Sequence, residues 1–147
     1  MTTSNETQTE IPGPWTQMDR QPRRSLSTLK EGEIPTDPGV YAIYRGGQRT
    51  YVGKASSLRN RIWRNHCRRG AVLTGSALRR NVAEHLGVGT AADIKARRYQ
   101  PTPGELEAVR RWLEACEVAW IRCGCHADAS ALEDAMKSEH KPPLTKR

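Results

Sequence analysis

Residues 39–54 read GVYAIYRGGQRTYVGK, and this stretch decides the fold. Two runs of aromatic and β-branched residues flank a Gly-Gly pair, which predicts a β-hairpin. The loop length then sets the register of the two strands. A three-residue loop pairs Tyr41 with Gly53 and places Tyr41 and Tyr51 on one face, whereas a two-residue turn at the Gly-Gly pair places them on opposite faces.

The remainder of the sequence predicts helices around this hairpin and one later strand. The segment TPGE at residues 102–105 is a strong helix start, because it combines an N-cap Thr, a Pro at the first helical position and a Glu at the third. The expected elements are a helix from Leu58, a helix over 77–86 between Ser76 as cap and Gly87 as stop, a short helix after Thr90, a helix over 103–115, a strand over 118–123 and a helix over 128–139. We therefore predict an α+β domain with a small antiparallel β-sheet, the β-hairpin plus the later strand, flanked by helices.

The 147 residues have the length of one domain. Residues 1–33 are rich in Thr, Pro and Gln and show no periodicity, so we predict a flexible leader, part of which Trp15 could pin onto the domain. Residues 34–147 are predicted to be the folded domain. The N-terminus lacks a secretory signal, the apolar runs are short, and four cysteines are sparse for a disulfide scaffold. We therefore expect a cytoplasmic protein without membrane contact.

The excess positive charge is concentrated in one segment. The net charge is +8, and residues 54–83 hold eight basic residues and no acidic one, so the other 16 basic residues balance the 16 acidic ones. Seven of the eight are Arg, whose planar fork suits phosphate, and this favours nucleic-acid binding over a solvated charged face. The candidate nucleic-acid contacts are Arg59, Arg64, Arg68, Arg69, Arg79, Arg80 and Asn81, the last as a reader of a base edge or as a plain polar surface residue.

Several motifs combine into one pattern across most of the chain. Gly39-Val40-Tyr41 is followed ten residues later by Tyr51-Val52-Gly53 and Lys54, then by Arg61, His66, Glu133 and a terminal Lys141-Pro142-Pro143-Leu144. This resembles the GIY-YIG nuclease family, with Val in place of Ile in both triplets. The resemblance implies a GIY-YIG-like nuclease domain at 34–147, an endonuclease that hydrolyses phosphodiester bonds in DNA with Mg²⁺ or Mn²⁺. The alternatives are a non-catalytic DNA-binding module and an RNA-directed nuclease on the same fold.

The resemblance also implies roles for individual residues. Arg61 corresponds to the family's catalytic Arg, which grips phosphate oxygens. Glu133 corresponds to its single metal-ligand Glu, with a plain surface ion pair to Lys137 as the alternative and Asp134 as a fallback ligand.

Tyr41 and Tyr51 correspond to the family's two tyrosines. One acts as general base on water or positions it, and the other lines the phosphate site. A phenol has a pKa near 10, so a base role near neutral pH needs nearby cations. We expect Tyr41 to be the base, and Lys54 to stabilise charge or to contact DNA.

The family's His or Tyr position stands four residues after the catalytic Arg, where this sequence has Asn65, and His66 follows. Five residues of an α-helix turn His66 about 140° from the face of Arg61, so His66 reaches the site only if the helix bends or ends. We predict His66 rather than Asn65 at this position. The family's Lys-Pro-Pro-Leu motif usually leads into Asn, and Thr145 stands there, which puts a structural hydrogen bond in question.

About 110 folded residues offer a small recognition surface. We therefore expect a homodimer, a partner protein that supplies specificity, or relaxed specificity.

Overall fold

The computed structural model describes residues 13–67 and 76–146. Within these ranges the helices are α1 (Pro14–Asp19), α2 (Asn60–Cys67, wound as a π-helix), α3 (Ala77–His85), α4 (Ala91–Lys95), α5 (Pro103–Glu114) and α6 (His126–Glu139), with a 3₁₀ turn at Glu31–Glu33. The strands are β1 (Arg24–Ser25), β2 (Gly39–Arg45), β3 (Gln48–Ala55) and β4 (Glu117–Arg122). They form one antiparallel sheet in the order β1-β4-β2-β3. The predicted α+β class with a helix-flanked antiparallel sheet is confirmed.

The interior strand β2 is buried from Gly39 to Tyr44 because both of its faces are covered, and Arg45 at its end is exposed. Tyr41 and Ile43 belong to a core that includes residues of α3 and α5, and Val40 and Ala42 belong to a second core shared with α1 and α6. This separation follows from the alternation of side chains along a strand. The strand β3 lies at one edge of the sheet. A cleft can therefore open along β3 between helices of the two layers.

The hairpin combines features of both loop alternatives. Gly46 and Gly47 have φ values of 59° and 80°, as a two-residue turn of the mirror-image type requires. The register then shifts between Ile43 and Tyr44, which leaves Thr50 as a bulged residue. The bulge restores the pairing of Tyr41 with Gly53. Tyr41 and Tyr51 therefore share a face even though the turn has two residues.

The C-terminal segment covers the exposed edge of β3. The Leu144 amide donates to the carbonyl of the bulged Thr50 at 3.0 Å, and the Val52 amide donates to Oγ1 of Thr145 at 3.0 Å. Thr145, whose hydrogen bonding was in question from sequence, thus accepts a hydrogen bond from β3 through its hydroxyl. The bulge and the terminal segment stabilise each other next to Tyr51.

Helix boundaries follow the capping residues closely. Ser76, Thr90 and Thr102 each accept a hydrogen bond from the backbone three residues later, and Thr102 forms the predicted capping box with Glu105. Gly87 adopts φ 79° after α3, as expected of a C-terminal stop. The last helix begins at His126 rather than at 128.

Residues 13–33 are part of the folded domain, and their interpretation as a flexible leader is wrong. Trp15 is fully buried, and its Nε1 donates to the carbonyls of Met136 and His140 at 2.9 and 2.8 Å. Strand β1 pairs with β4, and Leu26 and Leu29 enter the core. The sequence shows no periodicity here because these contacts are made one or two residues at a time. Removal of residues 1–33 is therefore expected to destabilise the protein.

We predict that Trp15→Ala lowers the free energy of unfolding by about 3–5 kcal/mol, because it empties a fully buried indole site. Urea unfolding followed by far-ultraviolet circular dichroism measures this. Trp120→Ala, at a half-buried tryptophan, is the control and should cost less. A loss below about 1 kcal/mol for Trp15→Ala would restore the flexible-leader interpretation.

Candidate active site

One cleft of ≈ 490 Å³ lies along the edge strand β3. It brings together five of the six residues that the sequence analysis assigns to catalysis: Tyr41, Tyr51, Lys54, Arg61 and Glu133. They come from two strands and two helices and span 93 positions of the chain, from Tyr41 to Glu133, so only the folded structure makes them neighbours. The other lining residues are Val52, Gly53, Ala77, Arg80, Asn81, Ala91, Ala92, Lys95, His126, Lys137, Thr145 and Lys146.

The two tyrosines form a hydrogen-bonded pair. Their ring centroids lie 6.1 Å apart, and they are only 1% and 9% exposed for Tyr41 and Tyr51 respectively. Burial raises the pKa of Tyr41 well above its ordinary value, and the Tyr51 hydroxyl raises it further. Burial also raises the pKa of Tyr51, but the hydrogen bond from Tyr41 and the charge of Arg61 lower it. Tyr51 is therefore the easier of the two to ionise.

Gly53 makes room for this pair. A Cβ atom at Gly53 would lie 2.7 Å from the Tyr41 hydroxyl oxygen, closer than side-chain atoms pack. Because Tyr41 is buried, its ring cannot swing away. The glycine of the second triplet is thus needed so that the phenol of the first triplet can lie against the backbone of β3.

Arg61 supplies a cation beside the tyrosine pair. It is exposed on α2, its backbone amide donates to the Ser57 carbonyl at 3.0 Å, and its charge lowers the pKa of both Tyr41 and Tyr51. An exposed guanidinium at the mouth of a cleft can grip an anionic ligand while the phenols line the floor.

Glu133 is a buried carboxylate that faces the cleft. It is 8% exposed, its charge acts on both tyrosines, and its Oε1 lies 3.4 Å from Nζ of Lys137. The alternative Glu133–Lys137 pair therefore exists, but inside the cleft rather than on the open surface. The neighbouring fallback ligand, Asp134, has a side chain 74% exposed and does not line the cleft.

Helix α6 presents one stripe of polar side chains to β3 and the cleft. Its members are spaced by four, three and four residues: His126, Ser130, Glu133 and Lys137. Lys54 Nζ donates to Ser130 Oγ at 2.7 Å, and Ser56 Oγ lies 3.2 Å from Nδ1 of His126. These two bridges fix Lys54 and the end of β3 against α6.

Three of the residues predicted to contact nucleic acid are buried or hydrogen-bonded within the protein instead. Arg79 is 5% exposed and outside the cleft lining, so it does not present itself to a phosphate. Arg59 donates from Nε to the Ile34 carbonyl at 2.8 Å, which ties α2 to the preceding loop. Asn81 lines the cleft but is 7% exposed, and its Nδ2 donates to the Leu144 carbonyl at 2.9 Å. Asn81 therefore holds the C-terminal segment, in place of the base contact considered from sequence.

Other predicted positions fall outside what the structure describes. Arg68 and Arg69 lie in the gap between residues 67 and 76, and the side chains of Arg64, Asn65 and His66 are outside the described part. Arg80 lines the cleft, and its contact to nucleic acid stays a prediction.

Four basic or titratable side chains of the cleft were not assigned to the site by the sequence analysis, which considered Lys137 only as a surface partner of Glu133: Lys95, His126, Lys137 and Lys146. The four-and-three spacing on α6 around Glu133 was a signal that could have found His126 and Lys137. Lys95 and Lys146 carry no local signal, because only the packing of α4 and of the C-terminal segment brings them to the cleft.

Comparison with known proteins gives a partial match. No family model matches this chain. The chain is similar to UvrABC system protein C of Solibacter usitatus (strain Ellin6076). The two are 30% identical over 115 residues, which cover 77% of this chain but 13% of that protein. The chain thus spans a small part of the length of the curated protein it matches.

Within residues 13–67 and 76–146, no helix combines the length and the apolar character that crossing a bilayer requires.

Proposed function

We propose that this protein is a metal-dependent endonuclease of GIY-YIG type that hydrolyses phosphodiester bonds in DNA. The observation that carries the proposal is the convergence of Tyr41, Tyr51, Arg61 and Glu133 on one cleft. Phosphodiester hydrolysis needs a base for the attacking water, cations for the phosphoryl oxygens and a carboxylate for a metal ion. These four side chains supply that set.

The similarity to UvrABC system protein C also supports this proposal. It favours a nuclease or DNA-processing role for this chain. The cleft supports cutting inside a strand, because lining residues extend along α6 to both sides of Glu133, from His126 to Lys137. A strand can therefore pass through with its scissile phosphate in the middle. The homodimer or partner protein expected for site-specific cutting stays a prediction.

Cations hold the scissile phosphate in this proposal. The guanidinium of Arg61 donates to two phosphate oxygens at once and stabilises the charge that grows on them as the bond breaks. Lys54, held by Ser130, adds a point charge near the tyrosine pair. Both residues act by position and charge and exchange no proton.

Tyr51 acts as the general base. Its phenolate takes a proton from the attacking water, the hydroxide bonds to phosphorus, and the sugar oxygen leaves with the bonding electron pair. Tyr41 donates a hydrogen bond to the Tyr51 oxygen and so favours the phenolate. This arrangement favours Tyr51 over Tyr41, in contrast to the expectation from sequence.

We predict that Tyr51→Phe lowers the cleavage rate by about 10²-fold or more, and that Tyr41→Phe lowers it by about tenfold. The pKa of Tyr51 lies above its ordinary value, so the phenolate fraction, and with it the wild-type rate, should rise with pH from about 6 to 9. Single-turnover rates across this range measure both effects. Tyr51→Phe should flatten the pH profile, and flattening by Tyr41→Phe alone would assign the base to Tyr41.

Glu133 is the metal ligand in this proposal. Within the described ranges, no three His, Cys, Asp or Glu side chains come together in a cluster that could hold a metal ion. A single buried carboxylate, completed by water and phosphate oxygens, fits a hard cation such as Mg²⁺ or Mn²⁺. When bound, the ion would neutralise charge on the phosphate and on the leaving oxygen.

His66 stays a proposed contributor to the site. The backbone of α2 is wound as a π-helix over Asn60–Cys67. In such a helix residue i bonds to residue i+5, so each residue turns by less than in an α-helix, and the choice of His66 over Asn65 stays a prediction. The α-helical geometry that turned His66 away from Arg61 therefore does not apply here.

Hairpin-closed duplexes of DNA and of RNA with the same sequence test the proposal, because they offer no free ends. We expect internal cutting of the DNA in Mg²⁺ and none in EDTA. Preferential cutting of the RNA would replace DNA by RNA as the substrate. Binding of both duplexes without cutting, in Mg²⁺ and in Mn²⁺, would favour the non-catalytic binding module.

A further inference from the structure

One side of the cleft has a composition of its own and is called the α3–α4 wall. Its members are Ala77, Arg80 and Asn81 of α3, Ala91, Ala92 and Lys95 of α4, and Lys146 of the C-terminal segment. Among them are three cations and no carboxylate. Two of the three cations, Lys95 and Lys146, lie outside the basic segment at 54–83 that charge counting singles out. The wall is thus a second source of positive charge beside the reaction centre, although the carboxylate of Glu84 offsets part of the charge of Lys146.

The cations of the wall share the cleft lining with small residues. Ala77, Ala91 and Ala92 line the cleft together with Arg80 and Lys95. Long basic side chains among small residues let a bulky anionic backbone approach while charged ends reach its oxygens.

Glu84 fixes the geometry of the wall. One of its carboxylate oxygens accepts from the Ala91 amide at 2.6 Å, and the other accepts from Lys146 Nζ. The backbone hydrogen bond from Ala91, followed by the one from Lys146, lowers the pKa of Glu84, so this carboxylate stays charged at neutral pH. The start of α4 and the side chain of Lys146 are therefore held on α3.

The α3–α4 wall lacks a platform for unstacked bases, since none of its members is aromatic. Elsewhere in the described lining, Tyr41 and Tyr51 are buried against the sheet, and the exposed ring of His126 lies on α6, outside the wall. Binding of single strands relies on exposed aromatic faces on which bases stack. A surface with cations but without such faces suits the phosphates of a strand whose bases remain stacked in a duplex.

We propose that the α3–α4 wall binds the sugar–phosphate backbone of a DNA duplex beside the scissile phosphate, without reading its sequence. This inference rests on the proposed nuclease function of the cleft and adds to it a substrate form, the duplex, and two binding residues, Lys95 and Lys146. The wall sets affinity and salt dependence, and the centre at Tyr51, Arg61 and Glu133 sets the rate of cutting.

The test compares Lys95→Gln and Lys146→Gln with Lys30→Gln, a charge-matched control at an exposed lysine outside the cleft lining. The probe is a fluorescent 30-base-pair DNA duplex of arbitrary sequence, with its single strand beside it, titrated in EDTA over a salt series. Each wall variant should weaken duplex binding by about eightfold at 0.1 M salt and reduce the salt slope by about 0.9, as loss of one phosphate contact requires. Lys30→Gln should change both much less.

The outcomes separate the two proposals. Wild-type protein should bind the duplex more tightly than the single strand, and the control variant Lys30→Gln should keep the wild-type single-turnover cleavage rate. Wall variants that match Lys30→Gln, or tighter binding of the single strand, would overturn the inference. A wild-type protein that binds with the expected pattern but never cuts would overturn the nuclease proposal and leave the wall as a duplex-binding surface.

Discussion

Glu133→Gln should lower the cleavage rate by about 10³-fold or more while leaving the fold intact. The substitution keeps the size of the side chain but removes the one carboxylate in the cleft lining of the described residues. A metal ion that is lost, or held by an amide alone, withdraws several kcal/mol of charge stabilisation from the transition state. Duplex binding in EDTA should be unchanged or slightly tighter, since a negative charge has been removed. Single-turnover cleavage in Mg²⁺ measures the loss, and circular dichroism checks the fold.

Asp134→Asn is the matched control for this prediction. It removes the same charge one residue away on α6, from a side chain that is 74% exposed and outside the cleft lining. Its cleavage rate should stay within about twofold of wild type. If the control lost activity and Glu133→Gln retained it, Asp134 would be the ligand and the site assignment on α6 would be wrong.

Arg61→Lys should lower the cleavage rate by about 10²- to 10³-fold, although it conserves charge. A lysine ammonium cannot replace the planar fork that holds two phosphate oxygens, and removal of one such donor from a reaction centre has an effect of this size. Because Arg61 also lowers the pKa of Tyr51, loss of its fixed position should move the pH profile to higher pH. Single-turnover rates from about pH 6 to 9 measure both effects.

Arg111→Lys serves as the control for Arg61→Lys. Arg111 is exposed on α5, pairs with Glu107 at 3.2 Å and does not line the cleft. It should leave the rate and the pH profile unchanged. Equal losses in the two variants would show that the effect belongs to general charge or stability, and Arg61 would lose its assigned role.

Local signals predicted the elements that local chemistry determines. The hairpin and the helix starts at Ser76, Thr90 and Thr102 depend on turn and capping residues that lie within a few positions of each other. The register of the hairpin was left open by the same reasoning. It depends on the bulge at Thr50, whose carbonyl is bonded by Leu144 from the far end of the chain. The sequence of residues 39–54 alone therefore cannot reveal Leu144 as the partner of Thr50.

In the candidate site, too, some features follow from the sequence and others depend on the folded structure. Tyr41, Tyr51, Arg61 and Glu133 were predicted because a spaced motif carries them, and the structure brings them together. The motif does not state which phenol ionises, since that depends on burial and on the hydrogen bond between the two hydroxyls.

Charge counting was the weakest predictor of the site. It placed Arg79 in the nucleic-acid contacts, although α3 turns this side chain inward. It passed over Lys95 and Lys146, which reach the cleft only through the packing of α4 and of the C-terminal segment on α3. Trp15 was recognised as a contact to the domain, but its neighbours were treated as a leader because their contacts are scattered.

Conversion of closed circular plasmid DNA, with Mg²⁺ or with EDTA present, tests the central claim most directly. The circle has no ends, so any product reports an internal phosphodiester cut, and the chelator removes the proposed metal ion alone. We predict nicked or linear DNA with wild-type protein in Mg²⁺ and intact circles in EDTA. Intact circles in Mg²⁺, under conditions where the protein binds the plasmid tightly, would contradict the assignment of this cleft as a nuclease active site.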